Sequence, residues 1–326
     1  DPNSPGSLRE GRTALEGAAE HGRLDMAQLL LNAGASPTQN AMYLAERERH
    51  YVLADMIKAA ETKIGPACSS HPPSIGIGIP GNISPATGLI KNANSTCLIG
   101  KPLEQDLQQA LGRPVRIAND ADCFTLSEAV DGTGSEARIV FGIILGTGVG
   151  GGLAINKSIV RGPNAITGEW GHNSLPWPGE DERPGPKCYC GHFGCIETFL
   201  SGPGLVRDAN NNKGNYDDAF EVVRDAAEGN PIAHAALQHY TERLAKALAS
   251  VINVIDPEVI VLGGGLSNIQ SLYEDVPALW NDFVFSDSVA TQLLPPKHGD
   301  SSGVRGAAWL WPSQRFSPTG LAKGAG

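Results

Sequence analysis

The sequence is short of several things, and each shortage narrows what the protein can be. Positive charge is scarce: 25 Lys and Arg stand against 35 Asp and Glu, for a formal net charge of −10. With no basic excess to neutralise a phosphate backbone, nucleic acid is not an expected partner. No apolar run reaches the roughly 20 residues of a membrane span. The opening stretch DPNSPGSLREGRT has no apolar core of the kind a secretory signal carries. Six cysteines in 326 residues are too few for a disulfide scaffold. The expectation is a cytoplasmic chain without membrane or nucleic-acid contacts.

What is present changes character near residue 65. Residues 11–35, GRTALEGAAEHGRLDMAQLLLNAGA, place Leu15, Ala18 and Ala19 on one short helix. Leu24, Met26 and Leu29–Leu31 lie on a second, with Gly22 and Gly34 as punctuation. This unit resembles an ankyrin repeat, and residues 41–60 resemble a degraded second one. Two repeats are fewer than the roughly three that bury a continuous core. The resemblance implies a protein partner for residues 1–62; the plain alternative is two amphipathic helices packed on the next domain.

Residues 63–74, KIGPACSSHPPS, read as a linker. Beyond it the pattern is α/β. SIGIGIPG (74–81) is a strand entering a glycine turn. A helix is expected over 103–111, a strand over 114–120 and a helix over 121–130. Residues 137–155 read as two strands around a glycine turn, 217–228 and 231–255 as helices, and 257–268 as strand, glycine loop and helix start. Strands alternating with helices predict a largely parallel sheet covered on both faces. The tail, 313–326, has no pattern and reads as disordered.

Three cysteines cluster in CYCGHFGCIE (188–197). Thiolates at Cys188, Cys190 and Cys195 can converge on one ion, and a tetrahedral zinc site needs a fourth ligand. His172 in GEWGHN is the leading choice and His192 the rival. A free-thiol turn is the plain alternative. ILGTGVGGG (144–152) sets Gly146, Thr147 and Gly148 between two strands, where backbone N–H groups can cradle phosphate. It lacks the lysine and following helix of a Walker loop. Gly263, Gly264 and Gly265 follow the strand VIVL, at the end where ligands sit in open α/β sheets. Asp120 joins a strand to a helix and suits either a general base or a helix cap. Glu169 and Glu197 flank the cysteines and can accept polyol hydroxyls or face solvent.

Taken together, GIGIPGNISPATGLIKNANST, VRIANDADC, GTGVGGG, GEWGHNSLPW, CYCGHFGCIETFLSG, IDPEVIVLGGG and KHGDSSGVRGAAWLW resemble the ROK family (repressor, open reading frame, kinase) over residues 74–312. The likeness is nearest to its bacterial fructokinases and manno(fructo)kinases. It implies an actin-like, ribonuclease H-like two-lobed sugar kinase fold for residues 75–312, with ATP, Mg²⁺ and a structural Zn²⁺. Asp120 would then be the base that activates the sugar hydroxyl. Gly81, Asn94, Asn119, Glu169, His172 and Glu197 would contact sugar. Gly146, Thr147 and Gly148 would line the phosphates, and Gly263–Gly265 would meet the nucleoside. His172, Cys188, Cys190 and Cys195 would hold zinc. Fructose is the first expected acceptor and mannose the second. Homodimers are common in the family.

The family's opening Asp-x-Gly-Gly-Thr phosphate loop occurs nowhere in this sequence. The ankyrin-like segment stands where that loop belongs. The expectation is therefore an N-terminally incomplete kinase domain. It is either an active sugar kinase or a relic that keeps zinc and sugar binding, with an ankyrin-led interaction module as the third class.

Overall fold

The structure is a computed structural model that describes residues 75–93 and 95–311, with Ala27, Leu30, Leu31, Ala41 and Ala45. The rest of the ankyrin-like segment, the linker at 63–74, Asn94 and the tail at 313–326 lie outside the described residues. Two compact units divide the chain: Asp1–Gly76 with Lys101–Arg116, and Ile77–Gly100 with Ile117–Gly326.

In chain order the described elements begin with β1 (Ile75–Ile79), β2 (Asn82–Ile83), β3 (Ile90–Lys91), α1 (Leu103–Leu111), β4 (Val115–Asn119) and α2 (Asp120–Val130). Next come β5 (Ile139–Leu145), β6 (Val149–Ile155), β7 (Ser158–Ile159), α3 (Ile196–Leu200), α4 (Gly202–Asn211), α5 (Ala219–Ala227) and α6 (Pro231–Ile255). The last are β8 (Val259–Gly263), α7 (Leu272–Trp280), β9 (Gln292–Leu294) and α8 (Ser302–Trp309). In the first unit, α1 carries Glu104 and Asp106 in its opening turn, where the helix dipole favours them, and stops at left-handed Gly112.

The second unit is built on a five-stranded sheet of order β7-β6-β5-β8-β9. It is mixed, not largely parallel as the alternation suggested. β5 and β6 form an antiparallel hairpin with Leu145 opposite Val149, β6 and β7 are antiparallel, and β5–β8 and β8–β9 are parallel. The reason is local: a three-residue turn at 146–148 joins β5 to β6, too short for the crossover that parallel strands need.

Alternation along the strands sorts two cores. Phe141, Ile143, Leu145, Ile260 and Leu262 pack with Tyr240, Leu244 and Leu248 of α6. Val140, Val259, Val261 and Ala154 pack with Phe124 and Ala129 of α2. α2 lies close on the sheet because Gly142 and Gly152 have no side chain, since a Cβ at either would collide with Thr125. That close approach fixes where the N-terminus of α2 points, and with it Asn119 and Asp120. The helix starts at Asp120, one residue earlier than expected, and its cap is Asn119, whose side chain accepts the Ala121 N–H.

Candidate active site

Four stretches of the second unit meet at the start of α2. Asn119 Nδ2 donates to Gly81 O at 3.2 Å while its Oδ1 caps the helix. Gly81 has φ +79°, and a Cβ there would stand 2.5 Å from Lys91 O, so the turn after β1 requires glycine. Asp120 Oδ1 accepts the Ala121 N–H at 2.9 Å. Burial raises the Asp120 carboxyl above its ordinary value, against hydrogen bonds that lower it. Glu169 is raised by burial too, with His172 and Asn82 opposing, and its Oε1 accepts Asn82 Nδ2 at 3.2 Å.

GEWGH is held by its tryptophan. Trp170 is buried, donates from Nε1 to Gly150 O at 3.1 Å and meets Phe141 edge-on. A single 3₁₀ turn, Trp170–His172, then swings His172 toward the cysteines. The chain beyond runs antiparallel to the cysteine loop: Leu175 N donates to Gly194 O and Ile196 N to Asn173 O, with Ser174 opposite Cys195.

The result is a four-residue cluster. One ligand atom from each of His172, Cys188, Cys190 and Cys195 lies within 4.8 Å of every other. His172 Nδ1 is 3.6 Å from Cys188 Sγ, and Cys190 Sγ is 3.6 Å from Cys195 Sγ. A zinc–sulfur bond of about 2.3 Å gives tetrahedral ligand separations of about 3.8 Å, so these residues fit that ion. His192 is exposed and outside the cluster; its backbone N–H instead lowers the Cys190 thiol. Burial pushes the Cys195 thiol up to about 12 and raises Cys188. The outward nitrogen of His172, Nε2, faces the Tyr189 hydroxyl at 2.9 Å.

Glu197 joins this cluster to the glycine turn. Its Oε2 accepts Val149 N at 3.1 Å, and Cys188 Sγ approaches Oε1 at 3.8 Å. A Cβ on Gly148 would stand 2.7 Å from the same carboxylate, so Gly148 makes room for Glu197. Gly146, Thr147 and Gly265 line a cavity of about 860 Å³ with α4, the start of α5, Leu266, Asn268 and Ile269. Gly263 does not line it. A Cβ there would stand 2.5 Å from the Phe124 ring, while one on Gly264, φ +80°, would strike Leu145 O. Of the three glycines, only Gly265 is free of close neighbours.

Two neighbours of the site stand inside the family-like stretches without a chemical signal of their own. Asn82 is one, visible only as the residue after the Gly81 turn. Asp122 is another: it is 7% exposed, its Oδ1 has no hydrogen-bond partner among the described residues, and it lines a small cavity of about 40 Å³ with Asn82 and Arg161. Burial pushes its carboxyl up to about 7, against the attraction of Arg161.

Comparison with known proteins gives this geometry a context. The sequence matches the family model described as ROK family over residues 33–314 and the ankyrin repeat over residues 10–41. It is similar to the N-acetyl-D-glucosamine kinase of Yersinia pseudotuberculosis, 39% identical over 263 residues, covering 79% of this chain and 85% of that protein. The kinase of that name from Vibrio cholerae is 40% identical over 241 residues, 73% of this chain and 80% of that one. Among solved structures, the ROK hexokinase from Thermus thermophilus superposes with a TM-score of 0.65 at 28% identity, covering 81% of this chain and 85% of that one. A ROK family glucokinase from Streptomyces griseus, solved with glucose and AMPPNP, gives 0.62 at 25% identity, with 80% and 87% covered. The fold class is therefore the expected actin-like α/β one.

Proposed function

Because this chain belongs to the ROK family, we propose that it transfers the γ-phosphoryl group of ATP to a hydroxyl of N-acetyl-D-glucosamine or a related hexose. The relatives named for that sugar, at 39–40% identity, put it first. They support hexose phosphorylation without singling out fructose, which stays with mannose as the comparison substrate.

One observation carries the reading. Asp120 stands at the head of α2 beside Asn119, still reaching solvent but with its carboxyl raised by desolvation, and the charge of half-buried Glu169, hydrogen-bonded to Asn82, is coupled to it. A base with a raised pKa is better matched to a hydroxyl proton than an ordinary carboxylate is. Asp120 takes that proton as the hydroxyl oxygen attacks the γ-phosphorus and ADP leaves in line. Asn119, Glu169, His172 and Glu197 orient the sugar, and Gly81 sets Asn119. Gly146 and Thr147 cradle phosphates, and Gly265 leaves space for the nucleoside. Mg²⁺ would neutralise phosphate charge. Zinc on His172, Cys188, Cys190 and Cys195 would brace the loop that presents Glu197. The reading carries a cytoplasmic location with it, and the ankyrin-matching residues 10–41 would meet a protein partner.

The test is ATP-dependent phosphorylation of N-acetylglucosamine, fructose, mannose and glucose, with Asp120→Asn as control. Turnover that the substitution abolishes supports the reading. A chain that binds sugar and metal yet never turns over replaces it with a binding protein of kinase descent.

A further inference from the structure

The cysteine loop has two limbs. The entering limb runs from Gly179 to Cys188, and the leaving limb is Cys195 with α3. Both are fastened to one face of α6. Tyr240, fully buried, donates its hydroxyl to Leu200 O at 3.0 Å, at the end of the leaving limb. One turn on, at the i+3 position of the same face, Arg243 reaches the other limb. Its Nε donates to Glu182 Oε1 at 2.6 Å, and a second nitrogen donates to Asp208 Oδ1 of α4 at 3.0 Å. The guanidinium also lies 5.2 Å from the centre of the Phe199 ring, two residues after Glu197. Glu182 is fixed at its other oxygen by Gly179 N at 2.8 Å. Only a tenth of the Arg243 side chain is exposed.

We propose that Arg243 is a positioning residue for the sugar side of the site: through Glu182 and Phe199 it sets both limbs of the cysteine loop, and so the place of Glu197. The inference rests on the sugar-kinase reading for its consequence, but not for the clamp itself. A guanidinium suits the task because its planar fork holds two carboxylates at once while its face lies on a ring. Lysine retains the charge and loses the fork. α6 suits it as an anchor, because one face of it, from Ala233 to Ile252, is buried in the main core.

The experiment compares Arg243→Lys, Glu182→Gln and the unaltered full-length chain by amide hydrogen exchange and by calorimetric titration with N-acetylglucosamine and with ATP. Arg243→Met takes the guanidinium from two half-buried carboxylates, Glu182 and Asp208, and risks misfolding, so the milder pair carries the test. The expected result is exchange about tenfold faster over residues 179–200 with α6 still protected, and sugar affinity down about tenfold as Glu197 drifts. ATP affinity should fall less than sugar affinity in Glu182→Gln, because that substitution leaves in place the Arg243–Asp208 bond to α4, which lines the nucleotide cavity. Sugar and ATP affinity falling together would mean a general structural role and overturn the proposal. Unchanged exchange over residues 179–200, or faster exchange with sugar affinity intact, overturns it as well. A chain that binds ATP but no sugar at all defeats the sugar-kinase reading instead, and the exchange profile then still decides whether the clamp exists.

Discussion

The two sides of the candidate site are made in opposite ways. On the cysteine side, identity lies in what side chains carry: three thiols and an imidazole within reach of one another, beside carboxyls that desolvation raises. On the glycine side, identity lies in what side chains lack. Gly264 is required by its backbone and by Leu145, Gly263 by the Phe124 ring, Gly148 by Glu197, and Gly265 by no neighbour among the described residues. A residue kept small with empty space beside it is the stronger pointer to a ligand. Glu197 is where the two sides touch, hydrogen-bonded to Val149 at the glycine turn while lying beside Cys188.

The contrast can be broken by substitution, and the largest effect belongs to the carboxyl side. Asp120→Asn should lower kcat by about 10²–10⁴-fold, the span of a lost general base, while calorimetry shows sugar still bound. The acid limb of the pH–rate profile should lie above the ordinary carboxylate range, because burial raises the Asp120 carboxyl and only its ionised form accepts a proton. A kcat within a few-fold of the unaltered chain would remove Asp120 from the chemistry.

Next comes the metal. Elemental analysis of purified protein should find about one zinc per chain, and the Cys188→Ala, Cys190→Ala double variant should have almost none, with a lower melting temperature. Metal retained by that variant would move the site elsewhere.

The glycine side is sharpened by a matched pair. Gly264→Ala should cost about 2–4 kcal/mol in a denaturant titration, combining a left-handed backbone with a clash. Gly265→Ala should shift stability by less than about 0.5 kcal/mol yet weaken ATP binding. Equal stability losses for the two would mean that both glycines are architectural.

The smallest effect sits under the carboxyl side. The Asp122 pKa is raised in the fold to about 7, above its unfolded value, so its protonated form favours folding at low pH and that contribution is lost as pH rises through 7. Asp122→Asn should therefore stabilise the protein at pH 8 by about 1 kcal/mol, the low end of the cost of a buried unsatisfied acceptor. The gain should fade toward pH 5. Thermal melts at the two pH values give the sign directly.

Sequence alone determined what depends on neighbours along the chain. The apolar spacing of residues 103–111 and 231–255 marks α1 and α6 to the residue, because a helix buries one face and repeats it every turn. The 146–148 glycine turn and the cysteine spacing were equally plain, since each acts within a few residues. Only the tertiary structure decided the rest. It brought His172 rather than His192 to the thiols, through backbone pairing of 173–175 with 194–196. It paired Asn82 with Glu169 across 87 residues and Arg243 with Glu182 across 61. It made the cap of α2 Asn119, with Asp120 as the first residue of the helix. No local periodicity encodes such contacts, because they depend on how closely α2, α6 and the cysteine loop pack in space, and that closeness is set by glycines and buried side chains far apart in the chain.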